Sequence, residues 1–233
     1  MKLEKITKEL VPSSRRSYDD ACGLAHALDL VGERWSLLVM RELMLGPKRF
    51  SDIRADLPGI SANVLTQRLE GLEAHGILVR RRLPPPASSH VYELTDWGYE
   101  AEPIIKVLGR WAARSPGHDP SLPLSAVSLM LSFRTMFDGS NAEGYAAAIG
   151  IRIGAESFVA RVAGKEFVVE RGALEGVEAI MAGAATAMAG VIYGGQPLDA
   201  MVAAGALSLE GDRSVIERFI TLFTLPPKVT TAG

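Results

Sequence analysis

Cysteine is almost missing from this chain: among 233 residues only Cys22 carries a thiol. No intrachain disulfide framework can form, so the fold must be held by burial, and the usage fits a reducing, cytoplasmic compartment. A lopsided charge is missing too. The net charge is −2, with 17 basic against 15 acidic residues up to His118 and 8 against 12 after it. Neither half is a basic magnet for a polyanion, so charge alone identifies no nucleic-acid binder. The start, MKLEKITKELVPSSRRS, has no apolar core of signal-peptide length. The charge-free run from Ala179 to Leu198 approaches the ~20 residues of a membrane span. It is mostly Ala and Gly, contains a proline and has no basic flank, which points to buried soluble structure and no membrane partner. Catalytic signatures are absent as well. His26, His75, His90 and His118 are scattered without metal-ligand spacing, and there is no nucleophile elbow, P-loop or dinucleotide glycine fingerprint. No enzyme, no catalytic residue, no metal and no cofactor is expected.

What is present falls into segments. Residues 1–17 are a polar arm with Leu3, Ile6 and Leu10 at helical spacing, to be read as a helix or a loose tail. Residues 18–113 are dense in helix signals with one hairpin. Residues 114–123 carry prolines and a glycine and form a linker. Residues 124–225 are richer in Ala and Gly with several short strands, and residues 226–233 form a tail. The expected fold is therefore multidomain: an N-terminal, mostly α domain with a β-hairpin, and a C-terminal α+β domain.

In the first domain the spacing predicts helices over about Cys22–Val31, Arg34–Leu45 and Phe50–Leu57. Pro58-Gly59 then breaks the chain, and Ser61 offers an N-cap for a longer helix that closes at Gly76. Strands Ile77–Arg82 and Val91–Leu94 flank a proline-rich tip, LPPPASSH, and a last helix runs from behind Thr95 to about Ala113. Helix, tight turn, longer helix and hairpin make a winged helix-turn-helix. In the longer helix Leu65, Leu69 and Leu72 form one stripe, while Asn63, Gln67 and Glu70 fall opposite, with Ala62 and Thr66 on the shoulder. Asn and Gln can pair bidentately with adenine in the major groove of double-stranded DNA. Ser61, Ala62, Asn63, Thr66 and Gln67 are thus the candidate groove residues. Lys48, Arg49, Arg54, Arg68, Arg81 and His90 are the candidate backbone contacts. Arg80–Arg82 alternate across a strand, so only one face of that run can meet DNA.

The blocks GERW, KRFS, LPGIS, LTQRL, LEAHG and YELT, in this order and spacing, resemble the HxlR-type family of bacterial winged-helix regulators. The resemblance covers about residues 18–113. It implies a homodimer whose first and last domain helices pack across the two-fold axis, and a near-palindromic operator. Two departures stand out: Asn63 and Ser89-His90 occupy positions where many members carry a basic residue. The family often has a cysteine where Cys22 stands, and in some members that position senses oxidants. The competing reading is a small buried residue at the dimer seam.

The second domain reads as a helix (Leu124–Phe137), strands Ala146–Ile153, Ser157–Val162 and Glu166–Glu170, a helical region (Ala184–Ala204), a strand (Leu207–Glu210) and a last helix (Arg213–Phe223). IRIGAESFVARVAGKEFVVERG and the ending LSLEGD before FITLF resemble the sterol-carrier-protein, or lipid-transfer, fold. That resemblance implies an apolar tunnel, with Phe133, Phe137, Phe158, Met181, Met188, Ile192, Tyr193 and Phe219 as candidate lining. The functional expectation is a dimeric DNA-binding regulator modulated by an apolar small-molecule effector. The alternatives are the same regulator with a ligand-free dimerisation module, or a lipid carrier domain tethered to DNA.

Overall fold

The computed structural model describes residues 4–5, 17–82 and 89–230. The chain divides into two compact units, 1–105 and 106–233. Among the described residues no helix is long and apolar enough to cross a membrane.

The first unit opens with a two-residue strand β1 (Glu4–Lys5), which pairs antiparallel with the wing at Arg82 and Arg81. Leu3, Ile6 and Leu10, the basis for a helical arm, lie outside the described residues. Helix α1 (Gly23–Val31) follows, with Cys22 at its N-cap. Helices α2 (Ser36–Leu43) and α3 (Phe50–Asp56) come next, then α4 (Ala62–Ala74). Ser61 caps α4 as its sequence position predicts, its hydroxyl accepting from the Val64 N–H at 3.2 Å. The helix ends at Gly76, whose φ of +71° suits a residue without Cβ. Strands β2 (Leu78–Arg82) and β3 (His90–Leu94) form the hairpin, and most of its proline-rich tip lies outside the described residues. Lys48 adds a backbone bridge to Tyr92, with N–H···O bonds in both directions. The core is built from Val39, Leu43, Ile53, Leu65, Leu69 and Leu78, each at most 1% exposed.

One expectation needs correction here. The single helix predicted behind Thr95 is two: α5 (Asp96–Tyr99), capped by the Thr95 hydroxyl, and α6 (Glu102–Ala113). Pro103 has no N–H to give Tyr99, and its ring would crowd that carbonyl, so the helix stops and restarts.

The second unit contains a five-stranded sheet in the order β6-β5-β4-β7-β8. Its strands are β4 (Ala146–Ile153), β5 (Glu156–Ala163), β6 (Glu166–Arg171), β7 (Ala179–Gly183) and β8 (Leu207–Gly211). All pairings are antiparallel except β4 with β7. Strand β7 corrects the sequence reading, which assigned no strand between Glu170 and Leu207. The helical region beyond it is also broken, into α8 (Ala185–Ile192) and α9 (Leu198–Ala203), by Gly194, Gly195 and Pro197. Helices α7 (Ala126–Met136) and α10 (Arg213–Phe219) complete the unit. The pleat agrees with the sequence alternation: Ile149 faces Ala160 and Ile151 faces Phe158 across β4 and β5.

Candidate nucleic-acid interface

Helix α4 has two chemically distinct sides. Leu65, Leu69 and Leu72 are at most 1% exposed. At ~25 cal/mol per Å2, burying each stabilises the helix's seat by about 1.5–3 kcal/mol. Asn63, Thr66, Gln67 and Glu70 are exposed on the other side, and Ala62 is half-buried. The turn before α4 places Ser61 outside the helix and leaves the N-terminal side of that face open to solvent. Direct readout of base edges needs this arrangement: a rigid helix with short amide and hydroxyl side chains at its N-terminal half.

The basic candidates divide in two. Arg49, at the N-cap of α3, and Arg54, in its last turn, are exposed. Lys48 is not, which removes it from the phosphate contacts predicted from sequence. Its side chain is 4% exposed, and its ammonium lies 2.5 Å from Asp56 Oδ2 and 3.4 Å from Glu42 Oε2. Glu42 is fully buried and also accepts from Arg41 at 2.6 Å. Arg68 is 17% exposed and pairs with Glu33 at 3.0 Å. Arg81 pairs with Glu93 at 2.5 Å and shares its strand face with buried Val91 rather than with Arg80 and Arg82. His90 is half-buried and sits opposite Arg82. The structure thus gathers Ser61, Ala62, Asn63, Thr66 and Gln67 on one helix end. Three of the basic residues are instead engaged with carboxylates. Those carboxylates lie 6 to 35 positions away along the chain, so local spacing carries no signal for them.

Cys22 is exposed. The backbone N–H groups of Ala25 and Leu24, at the open start of α1, hold its thiol below the usual cysteine range. Among the described residues, none in helices α1 and α6 is buried. Leu24 on α1 is 70% exposed, and Ile104, Val107, Leu108 and Trp111 on α6 are 44–70% exposed at i, i+3, i+4, i+7 spacing.

In the second unit, Phe133, Phe158, Met181, Met188 and Phe219 are completely buried, Ile192 is buried, and Tyr193 and Phe137 are half-buried. Phe133 stacks on Phe223 at 4.7 Å between ring centroids and meets Phe219 edge-on at 5.8 Å. Tyr193 accepts a 2.9 Å hydrogen bond from Ser132, and burial pushes its phenol far above the usual range. Phe137 stacks on Phe167 at 5.1 Å and lines an open groove of about 480 Å3 with Arg110, Met136 and Leu225. The other seven do not border that groove.

Residues 30–119 match the HxlR-like helix-turn-helix family. The HTH-type transcriptional regulator YvaP of Bacillus subtilis is 38% identical over 86 residues, which span 37% of this chain and 80% of YvaP. The chain belongs to the HxlR-like family. YodB, another HTH-type transcriptional regulator of that bacterium, is 37% identical over 86 residues, 37% of this chain and 77% of YodB. A solved structure of reduced YodB superposes with a TM-score of 0.38 at 33% identity, covering 43% of this chain and all of YodB. The HxlR-like match runs from the last turn of α1 to beyond the end of α6, and stops before α7. Family members are transcriptional regulators rather than enzymes.

Proposed function

We propose that the chain is a sequence-specific transcription regulator that binds a near-palindromic DNA operator as a homodimer. The observation that carries this is α4, which buries its leucine stripe and holds Asn63, Thr66 and Gln67 exposed at its capped N-terminal half. Arg49 and Arg54 supply the exposed phosphate contacts beside it. The apolar faces of α1 and α6 support dimerisation, because Leu24, Val107 and Trp111 are each 70% exposed. The test is to select operators from random-sequence DNA and measure Asn63→Ala and Gln67→Ala on the selected site and on random DNA. Each variant is expected to cost ~1–3 kcal/mol on the selected site and little on random DNA. Equal losses on both would mean that these residues touch only the backbone.

For the second unit, the succession of helix, three-strand meander, strand, helices, strand and helix supports a sterol-carrier-like fold. The ring contacts among Phe133, Phe219 and Phe223, and the Ser132–Tyr193 hydrogen bond, favour a filled interior over an apolar tunnel. This supports the ligand-free module over an effector pocket at the predicted residues. The exposed thiol of Cys22, at the start of a helix proposed to lie at the dimer seam, supports an oxidant-sensing input.

A further inference from the structure

We infer that residues 29–36, at the corner between α1 and α2, are a cradle that sets the position of the recognition helix. In this cradle Glu33–Arg68 is the latch, so that Arg68 serves DNA recognition through the placement of α4 rather than by touching phosphate. The inference rests on the DNA-binding reading above.

Two contacts hold α4 to this one corner, and the Trp35 ring edge faces the turn before the helix, 3.8 Å from the position a Cβ would take at Gly59. At mid-helix, the Arg68 guanidinium meets Glu33 at 3.0 Å. At the C-terminal end, His75 Nδ1–H donates to the Leu30 carbonyl at 3.3 Å. A crevice of only about 10 Å3 remains between the corner at Ser36 and the helix at Gly71. Gly71 is buried and Ser36 is 3% exposed, so the approach is close.

The corner has a defined shape of its own. Trp35 adopts a left-handed backbone, φ +82° and ψ −19°, which a bulky residue holds only when its surroundings over-determine it. Arg34 lies over the Trp35 ring at 5.3 Å, and the Ser36 N–H is bonded to the Glu33 carbonyl. This fixes where Glu33 stands when Arg68 reaches it. Arg68 is in turn drawn down the flank of α4, 17% exposed, with its Nε buried. A guanidinium in that posture is directed at the protein's own corner.

A latch and a phosphate contact behave differently under charge reversal. Glu33→Arg, Arg68→Glu and the double exchange are compared with the full-length wild type on a selected operator and on random DNA, at several salt concentrations. Urea unfolding is followed alongside to show that each variant is folded. An exposed-to-half-buried pair of this kind is worth up to about fivefold in an equilibrium. Each single reversal is expected to lower the ratio of operator to random-DNA affinity about fivefold, and the exchange to restore it to within about twofold. A phosphate contact would instead shrink the salt slope by about 0.9 per subunit in every variant lacking Arg68, and the exchange would restore nothing. That result overturns the latch alone. Wild type that selects no DNA sequence overturns the parent reading, and the latch with it.

Discussion

Replacing Lys48 by methionine separates a buried bridge from a DNA contact. The side chain is one atom shorter, keeps an unbranched apolar stem and loses the ammonium. In the native structure that ammonium joins Asp56 at 2.5 Å and Glu42 at 3.4 Å, with Glu42 fully buried. Removing one partner of a buried ion pair typically costs ~3–5 kcal/mol, because the remaining charge has lost its compensation and cannot recover water. Arg41 still holds the other oxygen of Glu42 at 2.6 Å, which places the loss near the lower end, about 3 kcal/mol. The urea midpoint of the first unit, read by Trp35 and Trp97 fluorescence, should fall by about 1–3 M at an m-value of ~1–3 kcal/mol/M. Adding Glu42→Met removes the stranded carboxylate and should recover at least half of the loss, since a well-packed apolar pair substitutes for a buried ion pair. On an operator, at a temperature where Lys48→Met is folded, the salt slope should equal that of wild type. A stability change below about 1 kcal/mol, together with a slope reduced by ~0.9 per subunit, would refute the reasoning and return Lys48 to the DNA surface.

Because Lys48, Arg68 and Arg81 are engaged with carboxylates, two phosphate contacts per protomer, from Arg49 and Arg54, should give a dimer a log–log salt slope of about −4; a slope near −9 would mean that the internal ion pairs open on DNA. Met188→Trp should destabilise the second unit by ~1–3 kcal/mol through overpacking, measured by chemical unfolding. A variant as stable as wild type, in a protein whose binding of an apolar fluorescent probe it abolishes, would restore the tunnel. Val107→Asp should shift sedimentation of the purified protein from dimer to monomer, since it sets a charge in the centre of the uncovered α6 face; an unchanged dimer would place the interface elsewhere. Alkylation of Cys22 followed against pH should show a midpoint lower in folded than in urea-unfolded protein. The thiolate is favoured only while the Ala25 and Leu24 N–H groups are held at the start of α1, so identical midpoints would remove that cause.

Local physics makes helix α4 legible in the sequence. Its cap, leucine stripe and terminal glycine act over one to four residues, and each was found where the spacing puts it. Thr95 is legible as a cap, and the break in the helix behind it follows from Pro103. Strand β7 is not legible, for a different reason. AIMAG has few β-branched residues, and it pairs on both sides, parallel to β4 and antiparallel to β8. A strand enclosed in this way reads as an unbroken apolar run, which periodicity cannot separate from a buried helix. The destinations of Lys48 and Arg68 are not legible at all, because Glu42, Asp56 and Glu33 are brought to them only by tertiary packing.

The distribution of charge in the first unit bears on how such a protein can recognise DNA. With nearly equal basic and acidic residues up to His118, every carboxylate that neutralises an arginine inside the fold reduces the sequence-independent attraction to phosphate. Weak attraction by one protomer is no defect in a dimer. In the proposed dimer the second protomer would be delivered at high effective concentration, and the contacts of both subunits would add in free energy. It also shifts the burden of discrimination. Where backbone contacts are few, the ratio of specific to random binding depends more on Asn63, Gln67 and the pitch at which α4 enters the groove. On the proposed reading, the carboxylates at Glu33, Glu42 and Asp56 would have two effects at once: they would lower the general affinity for DNA, and fix the elements that carry the specific one.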